Sequence, residues 1–216
     1  REKVEIELNA VTDNPLMFLD DEAVISGGNF HGEPMAIPFD TLGIAASELA
    51  DASERRLERM VNAALSNGLT PFLTVEGGVN SGYMIVQYAA ASMVSENKIY
   101  AHPASVDSIP SSANQEDIVS MGTTAGRKAG MIVKNTLDCL ALELMTSCQA
   151  IDIRRRLNSH GQGITPLHQA IYNKVREKVA FFEIDREIWP DIQAVKEMIY
   201  SGELLELIKE YIPDFE

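Results

Sequence analysis

Positive charge is scarce in this chain. Its 216 residues carry 18 Lys and Arg against 32 Asp and Glu, a formal net charge of −14. Nucleic acid and anionic membranes are bound by clustered Lys and Arg, so neither is an expected partner. The one dense basic run, Arg154-Arg155-Arg156, follows a long helical pattern and suits the negative end of that helix dipole. Apolar runs are also short. None approaches the roughly 18 uninterrupted residues of a transmembrane helix, and no signal-peptide pattern is visible. Cysteine is rare: only Cys139 and Cys148 occur, inside one apolar helical stretch. Nine residues apart on a helix they lie about 13 Å from each other, too far for a disulfide. They read as buried thiols in a reducing, cytoplasmic setting.

Several chemistries are missing as well. The four histidines, His31, His102, His160 and His168, show no metal-ligand spacing, and no metal site is expected. The glycine-rich Gly77-Gly78-Val79-Asn80-Ser81-Gly82 lacks the lysine of a phosphate loop and the dinucleotide spacing. No nucleophile elbow is present. The chain opens at Arg1, in a polar segment, so the expectation is a processed chain or a piece of a longer polypeptide.

What remains is a mainly α chain. Hydrophobic residues make up 45% and charged residues 23%, ordinary for a globular protein with a substantial core. Val4 to Leu8 alternates apolar and acidic residues and predicts an exposed strand. After the turn cluster at 9–15, Leu16 to Leu19 and Ala23 to Ile25 predict a hairpin. Helical periodicity then runs from about Met35 to Leu65, with Pro38 placed in the first turn, from Tyr83 to Tyr100, and from Val119 to Ile151. Shorter amphipathic helices follow over Pro166–Phe182 and Pro190–Tyr211. The expected architecture is a long-helix bundle with a small N-terminal β-hairpin region and peripheral C-terminal helices. Its parts are residues 1–34 (short strands and a glycine-rich loop), 35–153 (the bundle) and 154–216 (the peripheral helices). Helices this long suggest a bundle shared with other subunits.

One stretch stands apart. His102 to Gly122, HPASVDSIPSSANQEDIVSMG, is a polar, proline-broken loop between apolar helices, and its part 102–118 is the candidate active-site loop. Long loops of this kind are more often functional than simple connectors. The structural alternative is a capped helix start, with Asn114 as N-cap and Glu116 and Asp117 at the positive end of the dipole. Phe30 in the glycine loop, Met84 at a helix start and the Gln115-Glu116 pair would together give an apolar wall, a flexible apolar contact, an amide and a carboxylate. Such a set suits a small amphipathic ligand with a hydrogen-bonding ring, and a partly buried Glu can do acid–base work.

The strings NAVTDNP (9–15), SGGNFHGEP (26–34), NSGYM (80–84), SENK (95–98) and HPASVDSIPSSANQEDIVSMG (102–122) resemble the C-terminal half of histidine ammonia-lyases. These enzymes belong to the aromatic amino-acid ammonia-lyase and aminomutase superfamily. The likeness runs from about residue 9 to Asp152. It implies a helical homotetramer that converts L-histidine to trans-urocanate and ammonia. It also implies an electrophile, a methylidene-imidazolone, formed autocatalytically from Ala-Ser-Gly. Phe30 would stand near the electrophile and Met84 at the substrate ring. Glu116 would meet the imidazole and share in proton transfer, and Gln115 would help to position the site. Asn-Gln-Glu-Asp is the histidine-type pattern, whereas phenylalanine and tyrosine relatives usually carry Asn-Gln-Asp. Ile118 is a departure, since histidine-type enzymes commonly have histidine there.

The sequence contains no Ala-Ser-Gly, nor the family's catalytic tyrosines and carboxylate-binding arginine. The expectation is therefore a C-terminal portion that needs the N-terminal half of the enzyme as partner and is inactive alone. Two other readings stay open: a lyase or aminomutase for another aromatic amino acid, and a non-catalytic helical scaffold subunit.

Overall fold

The computed structural model describes residues 1–157 and 163–215; His160 and part of the 154–165 linker lie outside them. Among the described residues there are seven α-helices, α1 (Glu2–Leu8), α2 (Glu33–Val61), α3 (Met84–Tyr100), α4 (Gly122–Arg156), α5 (Pro166–Arg176), α6 (Trp189–Tyr200) and α7 (Glu203–Tyr211). One antiparallel pair joins β1 (Leu16–Phe18) to β2 (Ala23–Ile25), with Leu16 opposite Ile25. The mainly α class and the N-terminal hairpin are as the sequence predicts. No described helix is long and apolar enough to cross a membrane.

Four local readings are corrected. Residues 4–8 are helical, within α1. The alternation suggested a strand, but a strand needs a neighbour for its backbone groups, whereas a helix satisfies them locally. Arg1 and Glu5 pair at 2.7 Å, one turn apart, and Glu2 and Glu5 lie at the positive end of the dipole. Pro34, not Pro38, occupies the first turn of α2. Pro38 lies inside the helix, where it cannot donate to the Pro34 carbonyl. The stretch from Pro190 to Tyr211 is two helices. They part at Ser201-Gly202, where Gly202 takes φ 82°. Finally, α4 begins at Gly122 rather than Val119 and keeps Arg154–Arg156 inside its last turn.

The contacts divide the chain into two units. The first holds residues 1–48 and 96–133, the second 49–95 and 134–216. In the first, the buried apolar residues are mostly small: Ala36, Ala125 and Ala129, with Ile132. Here α2 and α4 approach closely at Gly43, where an added Cβ would sit 3.0 Å from Ile132 Cδ1. The second unit has a continuous apolar core. Leu57, Leu73, Tyr83, Leu142, Met145, Val175, Val195 and Met198 are fully buried in it. Cys139, Leu142, Met145, Gln149 and Ile153 recur at helical spacing along α4 and supply its inward stripe. The thiols are free and buried. Burial pushes Cys139 up to about 12 and Cys148 up to about 11, so neither is a reactive thiolate.

Candidate functional site

The polar loop after α3 is held at both ends and folded back on itself. At its entry, Asp40 of α2 accepts the Ser105 amide (2.8 Å). Lys128 of α4 lies 3.6 Å from Asp40 and donates to the His102 carbonyl. Asp40 is only 7% exposed. Burial alone would raise its pKa. Hydrogen bonds from Ser105 and Ala104, with the Lys128 charge, outweigh that and hold it below the ordinary value. At the exit, Ser120 donates to the His31 carbonyl and accepts the Gly122 amide (3.1 Å). Between the two ends, Ser108 Oγ accepts the Val119 amide (2.9 Å).

The tip carries the candidate chemistry. Ser111 and Glu116 exchange backbone hydrogen bonds of 2.9 and 3.3 Å. This closes a tight loop in which Ser112, Ala113 and Asn114 all take left-handed angles (φ 51°, 57° and 68°). Such angles cost a non-glycine residue about 1–2 kcal/mol each and are retained chiefly where the surroundings enforce them. The capped helix start at Asn114, the structural alternative, is therefore absent. Asn114 lies in a short 3-10 turn, the Glu116 backbone is engaged in the bridge to Ser111, and α4 opens six residues later.

This fold leaves the Glu116 carboxylate partly exposed. Ser111 Oγ donates to its Oε2 at 2.9 Å, and His31 Nε2 stands 3.9 Å from the same oxygen. Among the described residues Oε1 is left open. The side chain is 35% exposed. Phe30 sits beside His31, with ring centroids 4.3 Å apart, and is half exposed. The structure thus places Phe30 one residue from the histidine that faces Glu116. Gln115 is exposed on the same tip. Met84 is half buried at the start of α3 and belongs to the second unit. A groove of about 780 Å³ lies at the loop base, walled by Ile99, His102, Val106, Met121 and Lys128. Glu116 is not part of it.

Sequence reasoning missed Ser111, His31, Asp40 and Lys128. Ser111 stood in the motif without a role, and His31 was weighed only as a metal ligand. Asp40 and Lys128 are unremarkable helix residues until the fold aims them at residues 102–105. No spacing rule would have found that clamp.

The sequence model of the family described as aromatic amino acid lyase matches residues 1–177. The chain belongs to that family. It is 52% identical to histidine ammonia-lyase 1 of Fusobacterium nucleatum subsp. nucleatum, over all of this chain and 41% of that protein. The crystal structure of histidine ammonia-lyase from Trypanosoma cruzi superposes with a TM-score of 0.90 at 45% identity, over 98% of this chain and 41% of that one. Tyrosine aminomutase from Streptomyces globisporus superposes at 0.87 with 37% identity, over 97% and 39%. The chain spans about 40% of the length of the curated relatives it matches.

Proposed function

We propose that this chain is the C-terminal portion of a histidine ammonia-lyase. In this reading it helps to convert L-histidine into trans-urocanate and ammonia, in a cytoplasmic homotetramer completed by the N-terminal half of the enzyme. The observation that carries the reading is the Glu116 carboxylate, partly exposed, with Oε2 held by Ser111 and no hydrogen bond to Oε1 among the described residues. An imidazole offers N–H donors that a carboxylate accepts well, and a phenyl ring does not. Relatives named as histidine ammonia-lyases, at about half identity over nearly the whole chain, support it.

The resemblance implies a methylidene-imidazolone electrophile that would activate the substrate amino group as a leaving group. Its precursor, Ala-Ser-Gly, is not in this sequence. The residues present therefore do not supply that group. What this chain contributes is positioning. Glu116 Oε1 accepts the imidazole N–H and is the group on this chain suited to proton transfer. The resemblance would give Phe30 the part of an apolar wall, Met84 that of a contact to the substrate ring and Gln115 that of an amide at the loop tip.

The test is a substrate panel on the assembly formed with the N-terminal half. Histidine is turned over, and tyrosine and phenylalanine are not. Equal turnover of tyrosine would favour the second reading, a lyase or aminomutase for another aromatic amino acid, which the likeness to tyrosine aminomutase keeps in view. No turnover of any of the three, with assembly intact, would favour a scaffold subunit.

A further inference from the structure

The chain after α5 does more than cap the core. Residues 183–188 lie beyond the part matched by the family's sequence model, yet one of them reaches back about a hundred positions. Asp185 accepts the Ser81 amide at one carboxylate oxygen (2.7 Å) and the Gly82 amide at the other (2.9 Å). Its own amide donates to Asn80 Oδ1 (3.0 Å). Three consecutive residues are thus held by one. The two backbone donors keep the Asp185 carboxyl below its ordinary range, as expected for a carboxylate that accepts amide hydrogen bonds.

The gripped segment leads directly to Met84. The Ser81 carbonyl accepts the Met84 amide (3.3 Å), and the Tyr83 amide donates to the Phe72 carbonyl (2.8 Å). Gly82 takes φ 58°, and a Cβ there would come within 2.6 Å of Phe72 O, so its backbone is pressed against the 71–74 turn. That turn and the 181–185 segment share an anchor. Buried Gln149 donates to the Leu73 and Phe182 carbonyls (3.2 and 2.9 Å) and accepts the Phe182 amide (3.1 Å). The Tyr83 ring meets Phe182 edge-on, with centroids 5.6 Å apart. Residues 72–74, 80–84 and 182–185 therefore form one hydrogen-bonded cluster, all within the second unit.

We infer that Asp185 is a positioning residue for the substrate pocket, a strap that fixes the Asn80-Ser81-Gly82 turn and so sets where Met84 stands. The inference rests on the assignment of Met84 to the substrate ring in the preceding reading. Asp185 touches no substrate. It acts through the register of the α3 start, where a displacement of about 1 Å can cost up to about a hundredfold in rate.

The experiment pairs two readouts. In this chain, amide hydrogen exchange follows Ser81 and Gly82 in wild type, Asp185→Ala and Asp185→Glu. In the assembled enzyme, steady-state kinetics follow histidine turnover. The strap predicts loss of protection at both amides in Asp185→Ala and a KM raised by roughly tenfold with kcat largely kept, the pattern of binding lost equally from ground state and transition state. It also predicts partial recovery of both in Asp185→Glu, which restores an acceptor. Retained protection in Asp185→Ala overturns the inference. Lost protection with an unchanged KM overturns it too, since the grip would then be structural only. If Asp185→Ala does not fold, the same two readouts on Asp185→Asn decide, because the amide keeps only one acceptor oxygen for two donors. A wild-type assembly that leaves histidine untouched refutes the lyase reading and the substrate-pocket role with it, whereas retained protection in Asp185→Ala with histidine turned over refutes the strap alone.

Discussion

The two units of this chain are stabilised by different means. The second is built around large apolar side chains, with Leu142 and Met145 of α4 fully buried beside Leu57 and Val195. The first buries alanines and holds its long loop with polar groups: Asp40 and Lys128 at the entry, Ser108 in the stem, Ser111 at the tip and Ser120 at the exit. Apolar packing is tolerant of small shifts in backbone direction and contributes in proportion to area. Hydrogen bonds fix direction but add only about 0.5–1.5 kcal/mol net each. A region that must aim a carboxylate therefore benefits from the second device, and one that must resist unfolding benefits from the first.

Substitutions at the matched positions should expose this contrast. Leu142→Ala in the second unit should cost about 2–5 kcal/mol by denaturant unfolding, the range for a cavity left in a packed core. Asp40→Ala in the first should cost less, about 1–3 kcal/mol, because it leaves the Ser105 amide without its acceptor. Its clearer signature should be faster exchange of that amide. The Asp40 clamp also carries a pH dependence of known sign. Its folded pKa lies below the ordinary value of 3.8, so its contribution is complete above that value and is lost as pH falls through the folded one. Ser105 protection should hold near neutrality, fall only below about pH 4, and lose this acid dependence in Asp40→Asn. Protection that changes near neutrality would place the control elsewhere.

The smallest effect is the sharpest comparison. Alanine to glycine should have opposite signs in the two regions. Ala141 is fully buried within α4, and Ala141→Gly should cost about 1 kcal/mol or more. Ala113 is exposed at φ 57°, and Ala113→Gly should be neutral or stabilising by up to about 1 kcal/mol, because glycine relieves the left-handed strain. A destabilised Ala113→Gly would mean that the loop tip is not strained.

The two regions also differ in how far the sequence reveals them. The existence of α4 was legible from its helical period, and the burial of Cys139 and Cys148 from their place in it, whereas the part of Leu142 and Ile153 in its inward stripe shows only in the packing. The hairpin was legible from two short apolar runs around Asp20-Asp21-Glu22. The site tip was legible only as a motif. Capping rules see residue types and placed a helix start at Asn114, whereas the conformation is set by the Ser111–Glu116 bridge and three left-handed residues in succession. Val4–Leu8 misled for a related reason: alternation describes a strand only if a neighbour is there to pair with it. Asp40, Lys128 and Asp185 were invisible, because their roles depend on backbone groups far from them in sequence, and any Asp or Lys on a helix or loop reads as solvated charge.

The central claim is that Glu116 reads an imidazole ring, and its most direct test is Glu116→Gln in the assembly formed with the N-terminal half. Glutamine keeps the shape and the oxygen that Ser111 can bond to, but not the charge. The account predicts unchanged folding and assembly, with histidine turnover reduced by about a hundredfold or more, the scale expected for a positioned acid–base group. Turnover at the wild-type rate would contradict it.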